Sequence, residues 1–161
     1  TPFMAATTTS PAGKAIKGQR TGKKNVPEIM VAHNVPYVAT ACPSYPLDLM
    51  NKVEKARNTK GPSYIHIFSV CPTGWRGASN ETIKLGRMAV ETGFFPLYEV
   101  ENGKYRLTVA LPEKRRPMAD YLKLQGRFRH LDEADIAKVQ ALVDKEFRKL
   151  MHKVETSVPW S

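Results

Sequence analysis

The stretch that decides the fold is residues 35–71, which read VPYVATACPSYPLDLMNKVEKARNTKGPSYIHIFSVC. Residues 37–39 favour a short strand, and Pro46 opens a helix on which apolar residues recur every three or four positions. Gly61-Pro62 ends that helix. The run from Tyr64 to Val70 is nearly all apolar and rich in strand formers, a pattern typical of a strand covered on both faces. These residues predict a right-handed βαβ unit with two parallel strands.

The sequence after this unit predicts more helices and one hairpin. Ser79 is a plausible cap for a helix that runs to about residue 92. Asn102-Gly103, between two strand-forming segments, predicts a two-residue hairpin turn. Asp132 caps a long amphipathic helix. We therefore expect an α/β chain that is one partial domain, with a basic extended loop over 1–24, an α/β core with a hairpin over 25–110, and terminal helices over 111–161.

The composition is that of a soluble globular chain, with 161 residues, 42% apolar and 25% charged. At this length about 70% of the surface of the unfolded chain can be buried, so a real core is expected. No apolar run reaches the roughly eighteen residues of a membrane span. Two cysteines are too few for the disulfide framework of a secreted scaffold, so a cytoplasmic location is expected.

The formal net charge of +10 indicates an anionic partner. Nucleic acid, a phosphorylated cofactor and an acidic protein all fit, and so does a plain solvated surface. A non-enzymatic module that binds RNA or DNA also needs aromatic residues interleaved with basic ones on one surface. Tyr64, Phe68, Phe94 and Phe95 fall in predicted strands or near their starts, where burial in the core is the simpler interpretation. Nucleic-acid binding is therefore disfavoured.

Few residues form a site on spacing alone. Residues 10–14, SPAGK, lack the first glycine of a phosphate loop and the Ser/Thr that follows its lysine. The four histidines lie far apart and share no metal-ligand spacing. Cys71 follows the second predicted strand, at the edge where ligand sites of parallel sheets gather. A lone cysteine is more often a small buried hydrophobe, so both interpretations of Cys71 stay open on this ground.

Four segments carry a resemblance to a known family. Residues 63–108, SYIHIFSVCPTGWRGASNETIKLGRMAVETGFFPLYEVENGKYRLT, resemble the strand, cysteine loop, helix and hairpin of the β subunit of 2-oxoacid:ferredoxin oxidoreductases, the pyruvate enzyme above all. The segments TPFMAATTTSPAGK, VPYVATACPSYPLDLMNKVEKA and YLKLQGRFRHL agree, so the resemblance covers nearly the whole chain. It implies the carboxyl-terminal half of a thiamine-diphosphate-binding fold.

The activity that this resemblance implies is oxidative decarboxylation of pyruvate to acetyl-CoA. In that family thiamine diphosphate with Mg²⁺ carries the chemistry, a 4Fe–4S cluster passes electrons to ferredoxin, and coenzyme A takes the acyl group. Branched-chain or aromatic 2-oxoacids are the alternative substrates. Other oxidoreductase subunits, ferredoxin and coenzyme A are the expected partners. A basic face would attract acidic ferredoxin, and its candidate residues are Lys14, Lys17, Arg20 and residues 114–116.

Residue by residue, the resemblance assigns Cys71 as one of four cluster ligands, with Thr73 and Trp75 of the same CPTGW loop around the cofactor. It places no catalytic residue in this chain. One thiolate cannot hold a four-iron cluster. The family's thiamine motif and its other three cysteines lie before the point where this sequence starts. The isolated chain is therefore expected to be inactive and to bind no cofactor stably without a missing amino-terminal half or a split-subunit partner. Met4 stands where the family usually has glycine, and Cys42 is interpreted as structural.

Overall fold

A computed structural model describes residues 1–13 and 15–160 of the chain, and it confirms the α/β class. No helix in this part of the chain combines the length and the apolar character needed to cross a bilayer. Short 3₁₀ turns occupy Ser79–Glu81 and Gly126–Phe128. The helices and strands are α1 Val26–Ala32, β1 Tyr37–Ala41, α2 Pro46–Asn58, β2 Ser63–Ile67, α3 Pro72–Trp75, α4 Thr82–Glu91, β3 Tyr98–Glu101, β4 Lys104–Leu107, α5 Met118–Lys123 and α6 Glu133–Thr156.

The four strands form one mixed sheet in the order β2-β1-β3-β4. Strands β1 and β2 are parallel, with Val38 opposite Tyr64, and α2 connects them as the predicted βαβ unit. Strands β3 and β4 are antiparallel, and β3 pairs antiparallel with β1, so that Val100 lies opposite Val38. Strand β1 has a neighbouring strand on each side, helices α1 and α2 contact it, and all five of its residues are buried.

The strand predicted to be covered on both faces lies instead at the edge of the sheet. Strand β2 ends at Ile67, pairs only with β1 among the described strands, and leaves Ile67 50% exposed. The Phe68 N–H still donates to the Ala41 carbonyl of β1 at 2.8 Å, and the centre of its ring lies 4.8 Å from that of the Phe95 ring. The end of the apolar run therefore contributes to an aromatic cluster as well as to the sheet, and sequence alone does not separate these two roles.

Helix α2 presents its apolar stripe to solvent. Leu47, Met50 and Val53 are 74%, 64% and 49% exposed, although a stripe of this kind ordinarily faces a core. The residue that points inward is Lys52, which is buried against the sheet. The periodicity thus predicted the helix correctly, but it does not indicate which side of the helix is buried.

The hairpin turn has the geometry that its sequence demands. Asn102 and Gly103 have φ values of 45° and 84°, both left-handed, as a type I′ turn requires. The Trp160 indole lies so close to Gly103 that a β-carbon there would come within 2.2 Å of Nε1. Helix α4 begins at Thr82 and not at the predicted Ser79, because a 3₁₀ turn precedes it.

Helix α6 begins in a capping box that ties it to the amino-terminal segment. The Asp132 carboxylate accepts from the backbone N–H of Asp135 at 2.9 Å, and Asp135 accepts in return from the N–H of Asp132. The Lys17 ammonium forms ion pairs with both carboxylates. Hydrogen bonding from Lys17 is the main reason why the pKa of Asp135 is held at about 2, below its usual 3.8.

We expect Asp135→Asn to destabilise the chain at neutral pH and to flatten its acid unfolding profile. The folded-state pKa lies below the unfolded value, so the carboxylate stabilises the folded chain above pH 3.8. That contribution disappears as the pH falls to about 2. Urea unfolding at a series of pH values measures the effect. An acid profile equal to that of the wild type would count against this role of the capping box.

Candidate cofactor site around Cys71

A groove of about 1110 Å³ opens along the amino-terminal segment, the end of β2 and the side of α6. The three residues assigned by the resemblance, Cys71, Thr73 and Trp75, all lie on its wall. The structure therefore brings the predicted loop to a space that is large enough for a cofactor or for another segment of protein.

The Cys71 thiol is exposed and is held in place by its own loop. Cys71 is the N-cap of α3, and its Sγ accepts from the backbone N–H of Gly74 at 3.4 Å. A β-carbon at Gly74 would lie 3.2 Å from that sulfur, closer than neighbouring atoms ordinarily tolerate. Glycine at this position lets the backbone N–H approach the sulfur.

Trp75 joins the loop to an aromatic cluster. Its ring lies 5.5 Å from that of Phe68, and Phe68 packs in turn against Phe94 and Phe95. These rings are half-buried against one another and line one side of the groove. They form an apolar wall next to Cys71. Because these rings pack against one another, the same ring surfaces are not free to stack on the bases of a nucleic acid.

Thr73 lies on the exposed side of the same loop. Its carbonyl accepts from the backbone N–H of Arg76 at 3.3 Å, and Arg76 adopts a left-handed φ of 55°. Such a φ is uncommon for a residue with a β-carbon and is found where surrounding contacts fix the backbone. The loop from Cys71 to Arg76 therefore has a defined shape, with the thiol and the threonine side chain both on the groove side.

The amino-terminal segment packs beside this loop. Met4 has a φ of 62°, its N–H donates to the Gln19 carbonyl at 2.8 Å, and its carbonyl accepts from Nε2 of His130 at 3.0 Å. The N–H of Ala6 donates to the Arg127 carbonyl at 2.8 Å. A left-handed φ favours glycine, which gives a physical reason for the glycine that the resembled family usually has at the Met4 position.

Arg127 lines the groove and Gln125 accepts hydrogen bonds from it, although no pattern in the sequence indicates either residue. Both are buried, and the Arg127 guanidinium stacks 3.8 Å from the centre of the Trp75 ring. They stand in the quoted segment YLKLQGRFRHL, but an arginine near other basic residues normally indicates a solvated surface. No periodicity or spacing signals that this one is buried.

The described residues supply one sulfur ligand at this place. Nowhere in residues 1–13 and 15–160 do three or more His, Cys, Asp or Glu side chains gather as a metal site. Cys42, the other cysteine, is 1% exposed in a separate apolar cluster with Val90 and Leu97. The donor set thus fits one corner of an iron–sulfur cluster, and the remaining ligands of such a cluster have to come from outside these residues.

Of the five described basic residues that were proposed for a partner surface, three form ion pairs within the chain. Lys17 pairs with the α6 cap, Arg115 pairs with Asp144, and Arg116 pairs with Glu91. Arg20 and Lys114 are exposed. Lys14 lies outside the described residues.

Comparison with known proteins places the chain beside enzyme subunits. It is 53% identical, over 93% of its length, to the pyruvate synthase subunit PorB of Methanocaldococcus jannaschii. It is 44% identical, over 96% of its length, to the ketoisovalerate oxidoreductase subunit VorB of Pyrococcus abyssi. The corresponding identity to PorB of Thermotoga maritima is 44% over 94%. The chain spans about half the length of these curated relatives, 50%, 50% and 48% respectively. No protein-family model matches it.

Proposed function

Over the half of their length that it spans, the chain belongs with the β subunits of 2-oxoacid:ferredoxin oxidoreductases, and from this premise we propose that it forms part of a pyruvate synthase. The observation that carries the proposal is the 53% identity to a pyruvate synthase subunit over 93% of the chain. The whole enzyme would convert pyruvate and coenzyme A to acetyl-CoA and carbon dioxide, with electrons delivered to ferredoxin.

Within that enzyme the role proposed for this chain is to supply Cys71 as a ligand to a 4Fe–4S cluster. A cluster of this type accepts and releases one electron at a time when bound. Three features support the assignment: the Cys71 thiol is exposed on the groove, the Gly74 N–H approaches its sulfur, and an aromatic wall lies beside it. Hydrogen bonds to cluster sulfurs and exclusion of water both tune the potential, and the loop offers both.

Thiamine diphosphate and Mg²⁺ are proposed for the assembled enzyme, on residues supplied by the remaining half of the subunit. This chain's contribution would be the groove wall. Thr73 and Trp75 would border the cofactor, with Trp75 on the apolar side and the Thr73 hydroxyl available to a polar neighbour. The exposed Arg20 and Lys114 remain candidates for attracting acidic ferredoxin. Coenzyme A is the alternative anionic partner for these two residues.

Ketoisovalerate is the second candidate substrate, because relatives named ketoisovalerate oxidoreductase share 42% to 44% of their residues with the aligned chain. Pyruvate is preferred because the relatives named for it reach 53%. Both enzymes would use the cluster in the same way, so this choice does not alter the role of Cys71.

The test is reconstitution. The chain is produced under anaerobic conditions together with a polypeptide that supplies the half of the subunit it does not span, and with the other subunits of the enzyme. We expect the assembled β subunit to bind iron and acid-labile sulfide in equal amounts. We also expect coenzyme A-dependent reduction of ferredoxin with pyruvate, and slower reduction with ketoisovalerate or an aromatic 2-oxoacid. An assembled subunit free of iron, or one that is inactive with all three substrates, would refute the proposal.

A further inference from the structure

A tight turn packs against the cysteine loop and holds it in place. The N–H of Gly126 donates to the Arg76 carbonyl at 3.2 Å. A β-carbon at Gly126 would lie 2.7 Å from the Arg76 β-carbon, so the two backbones can approach this closely only at a glycine. Residues 125–127 therefore act as a support for the loop that carries Cys71.

The side chain that this turn delivers to the loop is a buried cation. Arg127 is only 4% exposed, and its guanidinium lies over the face of the Trp75 ring. Its Nε and Nη2 donate to Oε1 of Gln125 at 2.9 and 2.7 Å. Gln125 is itself 1% exposed and carries no charge. The guanidinium is therefore oriented by a neutral amide and an aromatic face, and both leave its positive charge uncompensated.

No carboxylate pairs with Arg127 in the part of the chain that the structure describes. The arginines found in ion pairs there are Arg106, Arg115 and Arg116. Burial lowers the pKa of Arg127 to about 10, an effect that the nearby Tyr121 and Cys71 oppose, so the guanidinium stays charged at neutral pH. A buried charge without a counter-charge is costly, and proteins rarely keep one unless an anion binds beside it.

We propose that Arg127 is the counter-charge for the anionic cluster that binds at Cys71. This inference rests on the proposed function, and it adds a residue that sets the electronic environment of the cluster without binding iron. Arg127 lines the same groove as Cys71, and it also holds Trp75 against the loop. A cation fixed in a region of low dielectric favours the more negative, reduced state of the cluster, so it raises the reduction potential.

The test is a redox titration of the cluster in the assembled enzyme, followed by electron paramagnetic resonance. Arg127→Met removes the charge with little change of volume. Arg127→Lys keeps the charge but replaces the planar guanidinium and its several N–H donors by a single ammonium group. Arg129→Met, at an exposed arginine two residues further on, is the matched control. We expect a more negative potential in Arg127→Met, a potential close to that of the wild type in Arg127→Lys, and no shift in Arg129→Met.

A cluster potential in Arg127→Met equal to that of the wild type would overturn the inference. If Arg127→Met fails to take up iron while Arg127→Lys succeeds, the loss follows the charge and supports it. If neither variant takes up iron although both stay folded by circular dichroism, the guanidinium acts only through its shape, and the inference is wrong. Failure of the wild-type assembly to bind iron would instead count against the proposed function.

Discussion

Replacing Cys71 by serine is expected to remove the cluster from the assembled subunit and to reduce pyruvate-dependent reduction of ferredoxin to background. A serine hydroxyl is far less acidic than a thiol and is a hard ligand that iron–sulfur clusters seldom accept. Residue 71 would still cap α3, because a serine oxygen accepts from the Gly74 N–H as the sulfur does. The loss should therefore reflect ligation and not the shape of the loop. Iron content and absorbance near 400 nm measure it.

The matched control is Cys42→Ala, which removes the other thiol of the chain from a site where it is 1% exposed. Cluster content should stay at the level of the wild type, although the melting temperature should fall because a small core volume is emptied. Iron content at the level of the wild type in both variants would show that neither cysteine is a ligand.

Replacing Lys52 by methionine is expected to destabilise the fold by about 3 kcal/mol, a large share of the roughly 5–15 kcal/mol of a typical domain. The Lys52 ammonium is 1% exposed and uses all three of its donors. They bond the Thr40 carbonyl at 2.8 Å, the Asp48 carboxylate at 2.6 Å and the Thr108 hydroxyl at 2.7 Å. Methionine fills the same volume but leaves these three acceptors without their common donor. Urea unfolding measures the change.

The control for this variant is Lys60→Met, at an exposed lysine just beyond the end of α2. Its effect on the free energy of unfolding should stay within about 0.5 kcal/mol, as for most exposed positions. A Lys52 variant as stable as the Lys60 variant would mean that the buried ammonium contributes nothing to the attachment of α2 to the sheet.

The elements that local chemistry determines could be predicted from sequence. Asn102-Gly103 determines its turn because few other residue pairs adopt two left-handed φ values in succession. Asp132 starts α6 because its carboxylate satisfies a free N–H of the first helical turn. The position of β2 in the sheet could not be predicted, since an apolar run has the same appearance in a central strand and in an edge strand beside an aromatic cluster. The outward stripe of α2 could not be predicted for a related reason: Lys52 lies inside because the fold brings Thr40 of β1 and Thr108, which follows β4, together around its ammonium.

The candidate site likewise contains residues that could be predicted from sequence and a residue that could not. Cys71, Thr73 and Trp75 lie within five residues of one another and form one motif. The resemblance to a family supplied the role proposed for them. Arg127 could not be found in this way, because its burial depends on the fold bringing residue 127 under residue 75. A buried cation is a property of three-dimensional packing, and the sequence around it is that of an ordinary basic surface.

The central claim is that the Cys71 sulfur binds iron, and the most direct test is anomalous X-ray scattering at the iron absorption edge from crystals of the assembled enzyme. We expect a compact anomalous peak within bonding distance of Cys71 Sγ, with three further cysteine sulfurs from the remaining half of the subunit around it. An occupied iron site held by four other ligands, with Cys71 Sγ outside bonding distance, would contradict the account.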